Sequence, residues 1–243
     1  MALLNIRSAA KVKFTSTGKM RVASPGYGYG GGGGGGGLSS GLQAFYRLSD
    51  TSDSSGNGNT LTNNGGVTFG SGKIGNCATT DNGKYLSNST LNLHALNAVS
   101  MSCWVSRNSI LGGDENIVGS FVPGSGSERV AIFGYSGTIY ASVVTSNDGY
   151  TQLGGFSTSN NVWTHVAVTY NGSVINLYSD GALIESLNAT GTTVTDPSFF
   201  GIGAGVGGGT PSNAKIDAVG IWNRALTLGE VSSLYNSGAG IEL

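Results

Sequence analysis

Acidic side chains are the first candidates for chemistry in this chain, because cleavage of a glycosidic bond requires two carboxyl groups that act together. The adjacent Asp114 and Glu115 would face opposite sides of a strand. All five glutamates are isolated from one another, at Glu115, Glu128, Glu185, Glu230 and Glu242. The sequence therefore predicts no catalytic carboxyl pair, and we expect a protein that is not an enzyme.

The histidines, the cysteines and one glycine-rich motif are weaker candidates. His94 and His165 cannot supply a three-histidine metal site. Cys77 and Cys103 lack C-x-x-C spacing, which indicates buried free thiols, although a single bridge stays open if their strands are neighbours. Residues 203–208 satisfy G-x-G-x-x-G, but no helical pattern follows to present a phosphate-binding N-terminus.

Composition favours an all-β fold to position these residues. Only 10% of the 243 residues are charged, and 43 glycines with 4 prolines are typical of many short strands and tight turns. The 38% of apolar residues provide enough surface for a sandwich core at this length. A helical signature is confined to Leu226–Tyr235, where Thr227 is the predicted N-cap and Glu230 follows three residues later.

The clearest strands lie between residues 163 and 187. Asn171-Gly172 and Asp180-Gly181 separate three apolar segments, at 163–170, 174–179 and 182–187. These residue pairs tolerate positive φ at both centres of a type I′ turn, whose twist matches the strands that it joins. The sequence predicts three consecutive antiparallel strands here.

Charge divides the chain into an arm and a body. Residues 1–40 contain no acidic side chain, whereas the remainder carries 7 basic and 13 acidic ones. We expect a basic anchoring arm over residues 1–25, a Tyr/Gly-rich linker over 26–40 and a body over 41–243. The predicted anchoring residues are the five bases of the arm, Arg7, Lys11, Lys13, Lys19 and Arg21.

The arm contains alternating stretches that predict one or two short strands around residues 16–18. A segment this small cannot bury a core alone, so we expect it to dock on a partner, for example by adding strands to a sheet edge. A solubilising leader is the alternative. The acidic body argues against nucleic-acid binding, and the sequence shows neither a secretion signal nor a membrane-spanning stretch, so we expect synthesis in a host cytoplasm.

Several ordered segments resemble laminin-G-like jelly-roll domains of the concanavalin A-like lectin/glucanase superfamily. They run from an opening at 44–48, 53–59 and 72–76 through 100–105, 163–170 and 177–181 to a close at 215–226. Nothing in residues 1–40 belongs to that pattern. The resemblance implies a two-sheet antiparallel jelly-roll sandwich, here preceded by an extended N-terminal arm.

The resemblance also implies a structural calcium ion at the rim of the sandwich. The matching positions are Asp53, Asn57 and Asn59 in the opening loop and Asp217 in the last strand. Carboxylate and amide oxygens suit this hard cation. The alternative is an ordinary tight loop, in which Asp and Asn side chains bond to backbone amides two residues on.

A glycan would be recognised by aromatic residues beside amide and carboxylate groups. We expect exposed loop aromatics at Tyr135, Tyr150 and Phe156, with Asn147 and Asp148 as hydrogen-bonding partners. Core packing of these aromatics is the alternative.

Together these features predict a virion protein of a bacteriophage. In this hypothesis residues 1–37 attach to a capsid or tail protein, and the jelly roll projects as a decoration, fibre or adhesin that binds surface glycans, where many copies would convert weak binding into avidity. Homo-oligomerisation stays open. The alternative is a free-standing bacterial lectin or carbohydrate-binding module.

Overall fold

The computed structural model describes residues 37–109, 112–121, 128–195 and 199–243, together with two short strands nearer the N-terminus. The chain divides into two compact units, Met1–Gly36 and Gly37–Leu243. In the first unit, β1 (Lys13–Phe14) pairs antiparallel with β2 (Met20–Arg21). Of the predicted anchoring residues, Arg7, Lys11 and Lys19 lie outside the described residues, and Lys13 and Arg21 are described only as members of these strands.

The second unit is built from strands that alternate with short turns. In chain order, the strands of its described part are β3 (Leu42–Tyr46), β4 (Thr62–Asn64), β5 (Thr68–Ser71), β6 (Asn76–Thr80), β7 (Tyr85–Asn88), β8 (Val99–Arg107), β9 (Asp114–Phe121), β10 (Glu128–Tyr135), β11 (Thr138–Thr145), β12 (Gly149–Ser157), β13 (Thr164–Tyr170), β14 (Val174–Ser179), β15 (Ala182–Asn188), β16 (Phe200–Ile202) and β17 (Ala214–Trp222).

Two antiparallel sheets form the second unit. A seven-stranded sheet has the order β12-β11-β10-β9-β16-β7-β4, and an eight-stranded sheet has the order β15-β14-β13-β8-β17-β6-β5, with β3 also paired to β17. The first part of β17 pairs with β6 and the last part pairs with β3, while β8 lies along its other side. The all-β, two-sheet antiparallel sandwich is confirmed.

The core fills the space between the two sheets. In β8, side chains alternate, so that Val99, Met101, Cys103 and Val105 join the main apolar cluster. Cys103 and Cys77 are both buried free thiols in the structure. The sequence alone could not decide between these thiols and a bridge.

The two predicted turns of the β13–β15 meander differ. Asp180 and Gly181 have φ of 50° and 77°, so the predicted type I′ turn is confirmed. The same prediction is wrong at Asn171, because among the residues of that loop only Gly172 has a positive φ, of 92°. The Asn171 Oδ1 atom accepts hydrogen bonds from the backbone amides of Ser173 (3.0 Å) and Val174 (2.8 Å), which holds a wider loop.

The helix α1 (Leu228–Tyr235) covers part of the outer face of the eight-stranded sheet. Its capping box is the predicted one, because the Thr227 side chain accepts from the Glu230 amide and the Glu230 side chain accepts from the Thr227 amide. Val231 and Leu234 pack against Trp222 in a cluster on that face. No helix in the described ranges is long and apolar enough to cross a membrane.

The sandwich begins slightly earlier than the predicted boundary at residue 41. The Trp222 indole donates to the Leu38 carbonyl (2.7 Å), and the Arg224 guanidinium donates to the carbonyls of Ser40 (2.7 Å) and Gly37 (3.2 Å). Residues 37–40 therefore pack with the second unit instead of serving as linker.

Candidate functional site

An open pocket of about 320 Å³ lies at the rim where β6 ends and β17 begins. We call it the rim pocket; it is lined by Asp81, Asn82, Pro211 and Asn213. Asp81 and Asn82 belong to the turn between β6 and β7, and the other two residues immediately precede β17. Because Thr80 pairs with Ala214, strand pairing brings these two distant segments together.

The first wall of the rim pocket is a tight turn. Lys84 donates its backbone amide to the Asp81 carbonyl (2.8 Å), and Gly83 provides the positive φ of 76° that the turn requires. The Oδ1 atom of Asp81 accepts from the Asn82 amide (2.8 Å). This bond fixes the carboxylate while leaving its second oxygen available.

The second wall rests on a buried hydroxyl pair. Thr80 and Ser212 are both fully buried, and the Thr80 hydroxyl lies 3.1 Å from the Ser212 carbonyl oxygen and 3.2 Å from that of Ala214. The Ser212 amide donates to the Gly203 carbonyl (2.8 Å). Gly203 has a φ of 88°, and a Cβ atom there would come within 2.3 Å of the Thr80 side chain. The segment is therefore held rigidly before any ligand binds.

The groups left free in the rim pocket are suited to hydroxyl groups. Asn108 donates its side-chain amide to the Oδ1 atom of Asn213 (3.0 Å), which leaves the Asn213 Nδ2 group as a donor. Within the described part of the chain, neither the second oxygen of Asp81 nor the Asn82 side chain has a hydrogen-bond partner. A carboxylate acceptor thus stands beside amide donors and an apolar proline.

The predicted glycan-binding residues lie at two opposite ends of β11. Tyr135 pairs with Thr138 at the start of β11, whereas Asn147 and Asp148 follow its last residue. From Thr138 to Thr145 the strand rises by seven steps of about 3.3 Å, which places these ends about 23 Å apart. Phe156 lies near the Tyr135 end, because it pairs with Ile139, and Tyr150 lies at the other end.

The placement of the individual residues differs in part from the predicted one. All three aromatics lie in strands instead of loops, and Phe156 is partly buried against the main core. Tyr135 and Tyr150 remain 49% and 48% exposed. Asp148 accepts from the Thr190 amide (2.6 Å) and hydroxyl (2.9 Å), so its carboxylate fastens two loops together.

Hydrogen bonds already engage the predicted calcium ligands. Asp53 accepts from the backbone amides of Phe45 (3.0 Å), Ser55 (2.9 Å) and Asn59 (2.9 Å). Partial burial raises the pKa of Asp53, but the hydrogen bonds to its carboxylate together lower it by more, so the pKa lies below its ordinary value. The side-chain NH₂ groups of Asn57 and Asn59 donate to carbonyls of β3.

Asp217 hydrogen-bonds to a different loop. It accepts from the amides of Lys73 and Ile74, both at 2.8 Å. The four residues are therefore a poor fit to one shared calcium site, and calcium binding stays a prediction.

A row of buried polar side chains crosses the outer face of the eight-stranded sheet. Trp104 pairs with His165 on one side and with Asp217 on the other, and Tyr235 of α1 stacks on its ring. The Nε2 atom of His165 lies 2.9 Å from the Ser102 hydroxyl. Burial lowers the pKa of His165 to about 4, and burial raises the pKa of Asp217 to about 6. The row is fully covered, so we assign it to structure.

Comparison with known proteins establishes the family. A family model described as "Concanavalin A-like lectin/glucanases superfamily" matches residues 79–232. The chain belongs to this superfamily. The match confirms the resemblance read from the sequence and includes every residue of the rim pocket. No match was found among curated protein sequences.

Solved structures of similar fold include the binding domains of a mosquitocidal protein and of botulinum neurotoxins. The binding domain of Paraclostridial Mosquitocidal Protein 1 is 17% identical with a TM-score of 0.67, over 83% of this chain and 53% of that chain. The binding domain of botulinum neurotoxin DC is 15% identical in its complexes with sialyl-T (TM-score 0.65) and with rat synaptotagmin II (TM-score 0.64), each over 82% of this chain and 52% of that chain. This superfamily member thus spans about half the length of those domains and shares their fold.

Sequence reasoning missed the rim pocket in this superfamily domain. Asp81-Asn82-Gly83 carries an Asn-Gly turn signal, which could have marked the first wall. Asn213 offers no comparable signal, because only the pairing of β6 with β17 brings it beside that turn.

Proposed function

We propose that residues 37–243 form a non-catalytic glycan-binding module and that the rim pocket holds the sugar. The observation that carries this proposal is the set of unpaired carboxylate and amide groups on a rigid, hydrogen-bonded frame. Sugar hydroxyls both donate and accept, so Asp81 can accept from them while Asn213 donates. A preformed site also loses little conformational freedom on binding.

The superfamily and the similar structures support binding as the type of function. One of those structures is a complex with the glycan sialyl-T and another is a complex with a protein receptor. This chain spans about half of those domains, so we extend the binding of ligands to this chain only as part of this proposal.

The lining of the rim pocket favours binding over cleavage. Asp81 is the one carboxylate among the described residues that line it. Glycoside hydrolysis uses two carboxyl groups, one to protonate the leaving group and one to attack or to activate water. We therefore assign no hydrolytic step to this site.

A glycan array probed with the full chain tests the proposal. For any glycan that binds, Asn213→Ala should weaken the affinity by about threefold to tenfold, as expected for one lost hydrogen bond. Asn147→Ala is the matched control, because Asn147 belongs to the loop that the sequence predicted. Loss of binding in the control with retention in Asn213→Ala would place the site in that loop instead. Absence of binding to any glycan would refute the proposal.

We further propose that the module is displayed on a bacteriophage virion, attached to a capsid or tail protein through its N-terminal segment. Five basic residues without an acid, eight consecutive glycines at 30–37 and the separation of the first 36 residues as a unit of their own support this proposal. A tethered module on many copies of a particle gains avidity from weak sites.

Deletion of residues 1–36 tests the attachment. The truncated chain keeps Gly37, Leu38 and Ser40, which hydrogen-bond to the sandwich. We expect it to stay folded but to stop co-sedimenting with particles. Retained incorporation would refute attachment through this segment, and a full chain that never associates with particles would favour a free-standing bacterial lectin.

A further inference from the structure

We infer that the rim pocket selects a terminal neutral pyranose over an anionic sugar and that Asp81 is the specificity-determining residue. This inference rests on the proposed function and names the class of sugar for the same site.

The size of the rim pocket limits the ligand to a small unit. Its volume of about 320 Å³ lies at the lower end of the range for small-molecule sites. The pocket is open, so the rest of a glycan can extend into solvent. One terminal ring is therefore the unit that the lining residues contact, with Pro211 as the apolar surface for its C–H groups.

Hydrogen-bonding capacity favours a neutral ring. The free oxygen of Asp81 only accepts, and two neighbouring hydroxyls of a sugar can both donate to a carboxylate. A sialic acid or uronic acid presents a carboxylate that also only accepts. No proton would lie between the two groups, so the Asp81 carboxylate would lose hydration without gaining a hydrogen bond from the carboxylate of the sugar.

The charges around the rim pocket also favour a neutral sugar. Among the described residues, no cation lies within salt-bridge distance of Asp81, since the ion pairs there involve Arg47, Arg107 and Arg224. Lys84 ends the same turn, but its side chain is exposed and forms none of these ion pairs. The body also carries an excess of six acidic side chains. An anionic sugar would therefore meet uncompensated repulsion.

Paired glycans that differ only in a terminal sialic acid test this inference on the full chain. We expect each neutral glycan that binds to lose at least about tenfold in affinity, or about 1.4 kcal/mol, when sialic acid caps it. Asp81→Asn should bring the ratio of the two affinities toward one. Asparagine keeps an oxygen that can accept from the Asn82 amide, removes the charge and replaces the free acceptor oxygen with an NH₂ donor.

Asp50→Asn is the matched control, because Asp50 is also an exposed turn aspartate that accepts a backbone amide, from Ser52 (2.7 Å). It should leave the ratio unchanged. A sialylated glycan that binds better than its neutral partner, with binding still sensitive to Asn213→Ala, would overturn the neutral preference while the proposed function stands. A neutral preference that Asp81→Asn does not alter would overturn the role of Asp81. Absence of binding to either member of every pair would refute both.

Discussion

His165 and Asp217 are the titratable side chains of the buried row that includes Trp104. Replacing either one should change how the free energy of unfolding depends on pH, and the two replacements should act in opposite directions. Both side chains are buried, at 1% and 0% exposure. His165 has a folded-state pKa of about 4, below its ordinary 6.5, and Asp217 has one of about 6, above its ordinary 3.8. The unfolded chain therefore holds the extra proton in the first case, and the folded chain holds it in the second.

The two shifts give contributions of similar size. One pKa unit corresponds to about 1.36 kcal/mol. As the pH falls from 7 to 4, the depressed pKa of His165 removes about 2 to 3 kcal/mol of stability. Over the same range, the raised pKa of Asp217 restores about 2 to 3 kcal/mol, because the protonated carboxyl is better accommodated in the buried site. In the wild type these two contributions largely cancel.

Urea unfolding at several pH values between 4 and 7 measures the balance, with tryptophan fluorescence as the probe and linear extrapolation to water. His165→Gln should gain about 2 to 3 kcal/mol relative to the wild type between pH 7 and pH 4. Asp217→Asn should lose a similar amount relative to the wild type. Comparison with the wild type removes the contributions of carboxylates elsewhere.

Parallel pH profiles for the wild type and both variants would refute this reasoning. That result would mean that water or structural relaxation compensates the burial of both groups. A profile that changes in only one variant would restrict the argument to that residue. The double variant provides a further control, since its pH profile should again be close to that of the wild type.

Three further predictions concern stability. Thr227→Ala should cost about 1 kcal/mol in urea unfolding, because it removes an N-cap; an unchanged midpoint would contradict the role of the capping box. Gly203→Ala should destabilise the domain by more than Gly66→Ala, since both have a positive φ but only the former would press a Cβ atom against Thr80. Equal losses of stability in the two variants would show that the backbone strain at positive φ, and not the contact with Thr80, causes the loss. Asp53→Asn should cost about 1 to 3 kcal/mol of stability, because it weakens the hydrogen bonds to three backbone amides. If calcium binds at Asp53, added calcium will raise the Tm of the wild type but not of this variant. Equal shifts in Tm would place any calcium elsewhere.

Local signals account for what could be predicted from the sequence. The type I′ turn at Asp180-Gly181 and the capping box of Thr227 each depend on residues no more than three apart. Period-2 alternation in β8 and β13 likewise depends on near neighbours. The turn at Asn171 differs from the predicted type for an equally local reason. The Asn171 side-chain oxygen accepts from the Ser173 and Val174 amides, which in a two-residue turn would bond to backbone carbonyls.

The sequence by itself determined the all-β class and the main hairpins, because turn chemistry and alternation act over a few residues, and its ordered motifs resemble the superfamily that the family model matches. Only the tertiary structure decided which distant side chains share a site. The pairing of β6 with β17 brings Asp81 beside Asn213, and the length of β11 separates Tyr135 from Asp148. Strand pairing sets these distances, and no short-range pattern records it.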